Sequence, residues 1–326
     1  MSHENINIDF DLSKLGISHL DYTSKLKDWY DKSSVRSLDR RIIKKEELDG
    51  KLFYSPELVP ISTHPIIVNK GLQQEVLYFH LISYLEFTNK LEHNLVNRVT
   101  QKIAQNEYFY VLPDNMRLDA YKIYCDESYH ALFSEDILQQ LEQLSSVNFR
   151  MPKTGLRFDP SFLSEYNTIA DNKRGKELDL IETFFVITTE TLITKTLVKV
   201  PKDTRVLTTI RQIIGDHAKD EAFHHNYFSQ LLKILWKLLS VYEKAYIIDM
   251  MPDFIRIFST PDLQAYKHGL SCIGLSKTEI EQIIEESHPQ VYLDKIIKQQ
   301  TKSTVRLFQK AGVSADYLFK FKNRKS

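Results

Sequence analysis

The sequence predicts an all-α protein built on a four-helix bundle, and three observations carry that prediction. Apolar residues recur at spacings of three and four through most of the 326-residue chain. Chain-breaking residues are scarce, 9 Gly and 10 Pro, and they cluster instead of marking frequent turns. No stretch alternates cleanly enough to read as a strand, and neither a low-complexity tract nor a solenoid period is visible.

The main breaks fall at 56–71 and 155–160, with smaller ones at 172–175, Pro201, Pro252, Pro261 and Gly312. Between them the periodicity predicts helices over 19–32, 71–105, 114–145, 161–171, 174–199, 203–240, 241–250, 261–271, 276–287 and 289–311. Four of these are long: 71–105, 114–145, 174–199 and 203–240. They form the expected bundle, a core over about 71–240. Residues 1–70 are an N-terminal extension, and 241–326 supply C-terminal helices packing on the bundle, the whole being one domain over 1–326. The segment 146–175 is long enough to run along the bundle as a crossover. Two helical hairpins joined by one long crossover is the ferritin-like arrangement.

Composition excludes several function classes. The 43 basic and 43 acidic side chains cancel, so no nucleic-acid or anionic-membrane partner is expected. The most apolar run, 231–241, is broken by Lys233 and Lys237 and is far short of the ~20 residues a membrane span needs. The opening MSHENINIDFDLS has neither the basic nor the apolar region of a signal peptide, so a cytoplasmic protein is expected. Two distant cysteines, Cys125 and Cys272, form no disulfide framework and suit a reducing compartment.

Two pentads of the form Asp-Glu-x-x-His carry the chemistry: Asp126-Glu127-Ser128-Tyr129-His130 and Asp220-Glu221-Ala222-Phe223-His224. Residues three apart on a helix project from one face, so each Glu and His can grip one ion, and two such pairs can hold two. With 11 His in the chain, about one accidental Glu-x-x-His is expected. Glu285-x-x-His288 reads as that accident, having Ile284 in place of Asp and running straight into Pro289.

A two-metal bundle needs one further Glu from each of the other two long helices. Glu92 lines up with Leu81, Leu85, Thr88, Leu95, Val96, Val99 and Ile103 and so points inward, whereas Glu86 shares a stripe with Ser83, Asn89, Lys90 and His93 and reads as solvated. Glu190 lies in the stripe of Val186, Ile187, Ile193, Thr194 and Leu197, with Glu182 as the alternative nearer the helix start. Four inward carboxylates would each cost about several kcal/mol if left unpaired, and two divalent cations cancel them. His217 stands four before Glu221 and seven before His224, on the same face, and reads either as core packing or as a seventh ligand. Asp126 and Asp220 suit the role of outer acceptors that hold a ligand imidazole by its other nitrogen, each taking a His from the opposite pentad.

With Glu92, Glu127-x-x-His130, Glu190 and His217-x-x-x-Glu221-x-x-His224 in place, the chain resembles the AurF-like di-iron N-oxygenases, the p-aminobenzoate N-oxygenase group. The resemblance covers most of the chain and includes Ser33-Ser34-Val35-Arg36, the Leu58-Val59-Pro60 to His64-Pro65 segment and the Thr304-Val305-Arg306 to Gly312 helix. It implies two iron ions held by Glu92, Glu127, His130, Glu190, His217, Glu221 and His224, with O2 as co-substrate and an external electron donor, protein or small reductant. It further implies a homodimer that oxidises a primary amine, free or tethered to a carrier protein, to a hydroxylamine, nitroso or nitro product in secondary metabolism. Aminobenzoate-oxidising members place an Arg about a turn before the first Glu, and here that stretch reads Ser83-Tyr84-Leu85-Glu86-Phe87-Thr88. The expected pocket residues are Tyr84, Phe87, Thr88, Thr194 and Arg306. The alternatives are a di-iron carbon hydroxylase or radical-generating protein, for which Tyr121, Tyr124 and Tyr129 are available, and a non-catalytic ferritin-like iron-binding protein.

Overall fold

The computed structural model describes residues 22–148, 157–193 and 197–318. Among the described residues the regular structure is helical, with no β-strand and one isolated parallel bridge, Leu52 to Val206. Two short helices, α1 (Trp29–Lys32) and α2 (Ser34–Ser37), and α3 (Pro65–Asn69) make up the helical part of the N-terminal extension along with short 3-10 turns. The bundle follows: α4 (Gln73–Leu91), a π-helical turn (Glu92–Val96), α5 (Asn97–Ala104), α6 (Asp114–Asn148), α7 (Ser161–Ala170), α8 (Gly175–Leu192) and α9 (Thr208–Leu238). After it come α10 (Val241–Ser259), α11 (Leu263–Cys272), α12 (Lys277–Ser287) and α13 (Gln290–Lys310).

The four long segments pack as expected of a ferritin-like bundle. The α4–α5 rod lies against α6, α8 lies against α9, and the two pairs meet through α6–α9 and α5–α8 contacts. α7 lies in the crossover and packs on α8 and α10. One continuous apolar cluster joins the bundle to the later helices, with Leu77, Leu81, Phe184, Phe185, Phe228, Phe254 and Phe308 among its buried side chains. Among the described residues no helix is long and apolar enough to cross a membrane.

Four expected elements differ in ways the backbone explains. Within 19–32 only Trp29–Lys32 is helical among the described residues; it stops at Ser33, which is extended (φ −65°, ψ 146°), and the chain restarts as α2. The rod expected over 71–105 is not uniform. Its π turn leaves Leu91 and Glu92, then Leu95, Val96 and Asn97, all buried, a wider inward face than a 3.6-residue period gives. The helix expected from 203 starts at Thr208, since Leu52 N–H bonds to Arg205 O (2.8 Å) and Leu207 N–H to Leu52 O (3.0 Å), holding that stretch extended against the N-terminal extension. The helix expected to stop near Pro252 runs through it to Ser259, because Ile247, Ile248, Met251, Phe254 and Ile255 keep a buried stripe that outweighs the lost N–H donor.

Candidate metal centre

Four segments converge at the middle of the bundle. The π turn brings Glu92, α6 brings Glu127 and His130, α8 brings Glu190, and α9 brings His217, Glu221 and His224. On α6 and α9 these lie three and four apart, on one face. All seven side chains are fully buried, at 0% exposure. They gather into two groups, Glu92–His130–His217–Glu221 and Glu127–Glu190–Glu221–His224, within each of which the potential donor atoms lie within 4.8 Å of one another.

Glu221 belongs to both groups, and Glu127 reaches across them. Glu127 Oε2 lies 2.7 Å from His130 Nδ1 and its Oε1 lies 2.7 Å from His224 Nδ1. Glu221 Oε1 lies 3.2 Å from His217 Nε2 and 3.3 Å from His224 Nδ1. His217 Nε2 also faces Glu92 Oε1 at 3.8 Å.

This donor set fits a pair of divalent metal ions. Both oxygens of Glu92 and of Glu190, and Oε2 of Glu221, are buried without a hydrogen-bond partner. Among the described residues no Lys or Arg pairs with any of the four glutamates. Burial, reinforced by Glu127, Glu190 and Glu221, pushes the Glu92 carboxyl well above its ordinary range, and burial with Glu221 and Glu127 does the same to Glu190. Burial also opposes ionisation of Glu127 and Glu221, but the neighbouring histidines, His224 first in each case, outweigh it and hold both below the ordinary range. Burial alone would depress His130, yet Glu127 and Asp220 hold it up at about 10. His224 stands well above the ordinary value, Glu127, Glu221 and Asp126 outweighing burial. The group thus reaches neutrality with protons where no cation is supplied, and cations replace those protons. Mixed imidazole and carboxylate donors suit iron.

The second nitrogen of each histidine meets a different outer partner. His224 Nε2 lies 3.1 Å from Asp126 Oδ2, and Trp29 Nε1 donates to the same carboxylate at 2.8 and 2.9 Å. His130 Nε2 lies 3.1 Å from Asp220 Oδ2, whose other oxygen accepts from the Ser34 backbone N–H at 3.3 Å. The structure therefore places each pentad's Asp against the other pentad's His. His217 Nδ1 lies 3.2 Å from the Tyr84 hydroxyl. Trp29 and Ser34 were not visible as site residues in the sequence, since they reach their partners across 97 and 186 residues, and the Ser33-Ser34-Val35-Arg36 stretch holds nothing local that ties Ser34 to Asp220.

Tyr84 also lines a cavity of about 550 Å³, together with Tyr54, His80, Phe87, Tyr266 and Gln300. Its wall is largely aromatic, and burial holds the partly buried His80 down at about 4, hence neutral. Of the expected pocket residues, Tyr84 and Phe87 line this cavity. Thr88 is buried beside them but is not part of the lining. Thr194 lies outside the described residues. Arg306 is exposed at the surface of α13 and does not line the cavity, because that helix turns Ile296, Gln299 and Gln300 toward it instead. Glu86, expected on a solvated face, is buried, 3.6 Å from Arg157. Glu182 is buried too, held by Arg98 and by Lys102 at 3.0 Å, and stands apart from both donor groups. Glu285 is exposed while His288 is buried, so that pair forms no site.

No curated protein matches the chain. A family model described as P-aminobenzoate N-oxygenase AurF matches residues 30–312, which span both donor groups and the cavity lining. The chain belongs to the AurF family, whose members are O2-dependent di-iron N-oxygenases.

Proposed function

We propose that this protein oxidises the nitrogen of a primary amine held in the Tyr84 cavity, with two iron ions bound by Glu92, Glu127, His130, Glu190, His217, Glu221 and His224. The observation that carries this reading is the junction at Tyr84, whose ring lines the cavity while its hydroxyl touches His217. When bound, the iron pair supplies O2 reduction and delivery of oxygen to the amine nitrogen. The protein's own contribution is placement. The aromatic wall of Tyr54, Tyr84, Phe87 and Tyr266 fits a flat, apolar amine, and burial of all seven donors keeps bulk water from the metal. His80, kept neutral by burial, does not repel an incoming ammonium.

Among the described lining residues the only full positive charge is Lys199, exposed, and no Arg is among them. That supports an amine other than a simple aminobenzoate, free or carrier-borne. We further propose a cytoplasmic homodimer with a role in secondary metabolism, acting as one domain and re-reduced by an external donor. The outward stripe of Leu118, Tyr121 and Leu132 on α6 supports the dimer, since a lone chain leaves it wet. The test is to load Fe(II) anaerobically to two ions per chain, admit isotopically labelled O2 with a panel of aryl and alkyl amines, and analyse products by mass spectrometry. Label on the nitrogen of one amine is expected. Full iron uptake with every amine recovered unchanged would sink the reading.

A further inference from the structure

Two of the three histidines have outer partners without a ring beyond them toward the surface: His217 leads to Tyr84 and the cavity, and His130 leads to Asp220, which takes the Ser34 amide and lines the crevice beside Trp29. The third line is different in kind. His224 Nε2, Asp126 and Trp29 Nε1 form an unbroken hydrogen-bonded chain with spacings of 3.1 and 2.8 Å. The Trp29 indole is 9% exposed and packs edge-on, centroids 5.2 Å apart, against Tyr30, which is 59% exposed. A narrow crevice lined by Lys25, Trp29, Lys32, Asp126, Asp220 and Phe223 opens beside it. None of these residues lines the amine cavity.

From the exposed Tyr30 ring to the His224 imidazole the path crosses one ring contact, between residues also joined through the backbone, and two hydrogen bonds on either side of Asp126. We propose that Tyr30, Trp29 and Asp126 are the route by which electrons enter the centre, on a face separate from the one the amine uses. This rests on the metal reading above. The co-reactant is a one-electron reductant. Each transfer oxidises one donor molecule by one electron and reduces one ferric ion to ferrous, so two transfers reset the pair. The indole bridges without changing its own oxidation state, and its proton stays on Nε1. Trp29 is a positioning residue: it touches neither amine nor metal.

The test uses the full chain loaded with ferric iron, without amine, mixed anaerobically with reduced methyl viologen while the ferric absorption is followed. Trp29→Leu removes both ring and N–H, Trp29→Phe keeps a ring and removes the N–H, and Trp236→Phe changes the other tryptophan, remote from the site. At equal iron content, Trp29→Leu should slow reduction about tenfold or more, the scale on which outer partners of metal ligands act. Trp29→Phe should fall between Trp29→Leu and the parent, and Trp236→Phe should match the parent. A merely structural role would instead lower iron content or thermal stability and leave the reduction rate of the loaded fraction unchanged. Reduction within twofold of the parent in both Trp29 variants at full iron occupancy overturns the route alone. Failure of the parent to take up iron overturns the metal centre, and the route with it.

Discussion

At the scale of single residues, the site is a balance of buried charge. Removing the Tyr84 hydroxyl by Tyr84→Phe keeps the cavity wall but frees His217 Nδ1. Iron affinity or turnover should fall by about 10–100-fold, read by iron titration and product formation; an unchanged titration would show that the 3.2 Å contact orients nothing. The pH dependence follows from the shifted groups. Glu92 and Glu190, raised first by burial and then by Glu127 and Glu221, keep protons in the fold that an unfolded chain would release. At these two sites the folded iron-free protein binds more protons than the unfolded chain, so their contribution to stability is lost as pH rises above the carboxylate range, while His80 and His217, lowered by burial, act oppositely below the ordinary histidine value. His130 acts in the same direction as the two glutamates: its contribution is full below the ordinary histidine value and is lost as pH rises through about 10. Iron must displace these protons. Adding Fe(II) in weak buffer should therefore acidify the solution, and affinity should climb between pH 5 and 8, as expected of ligands that bind deprotonated. Uptake without proton release would contradict this account.

At the scale of elements, packing places the ligands and the cavity wall. α11 crosses α4 so closely that a Cβ on Gly269 would lie 2.2 Å from the Phe79 ring. Gly269→Ala should destabilise the fold by about 1–3 kcal/mol through overpacking. It should also raise KM, since Tyr266 on the same helix turns its hydroxyl to His80 Nδ1 at 3.2 Å and forms part of the cavity wall. Urea unfolding and steady-state kinetics check both parts, and parent-like stability would mean Phe79 gives way freely. α10 starts with a capping box in which the Ser240 N–H donates to Glu243 and Ser240 Oγ accepts the Glu243 N–H. Ser240→Ala should cost about 1 kcal/mol in the same measurement, with activity retained. The π turn at Glu92 is the element with the most direct bearing on the site, because its wider turn lets Glu92 and Leu95 to Asn97 all face inward.

At the scale of the whole molecule, the metal is a cross-link between segments far apart in the chain. Ligand candidates from the π turn, α6, α8 and α9 contract onto two ions, so iron should stabilise the native state by about 2.7 kcal/mol at a hundredfold excess over Kd. A calorimetric scan should show a higher Tm with Fe(II), reversed by a chelator, and a smaller rise in His217→Ala. An equal rise in that variant would remove His217 from the ligand set. The bundle also separates traffic. The amine cavity opens on the His217 side among α4, α11 and α13, and the Trp29 crevice opens on the His224 side beneath α1.

Much of this was legible along the chain. Glu127, His130, Glu221 and His224 stand in local i, i+3 motifs, and Glu92, Glu190 and His217 interrupt apolar stripes, so helical periodicity alone turns all seven inward. The same periodicity misplaced Glu86, because an exposed-looking stripe was covered by Arg157 arriving from the crossover, and it could not foresee the π turn or the passage of α10 through Pro252. The sequence by itself determined the helical class, the bundle and the inward carboxylates and imidazoles, since those depend on spacing within one helix. Only the tertiary structure decided that Trp29 and Ser34 back the two aspartates, that Tyr84 completes the outer ring, and that Arg306 faces solvent. Those contacts join residues roughly a hundred or more positions apart, and no local periodicity encodes where separate helices meet.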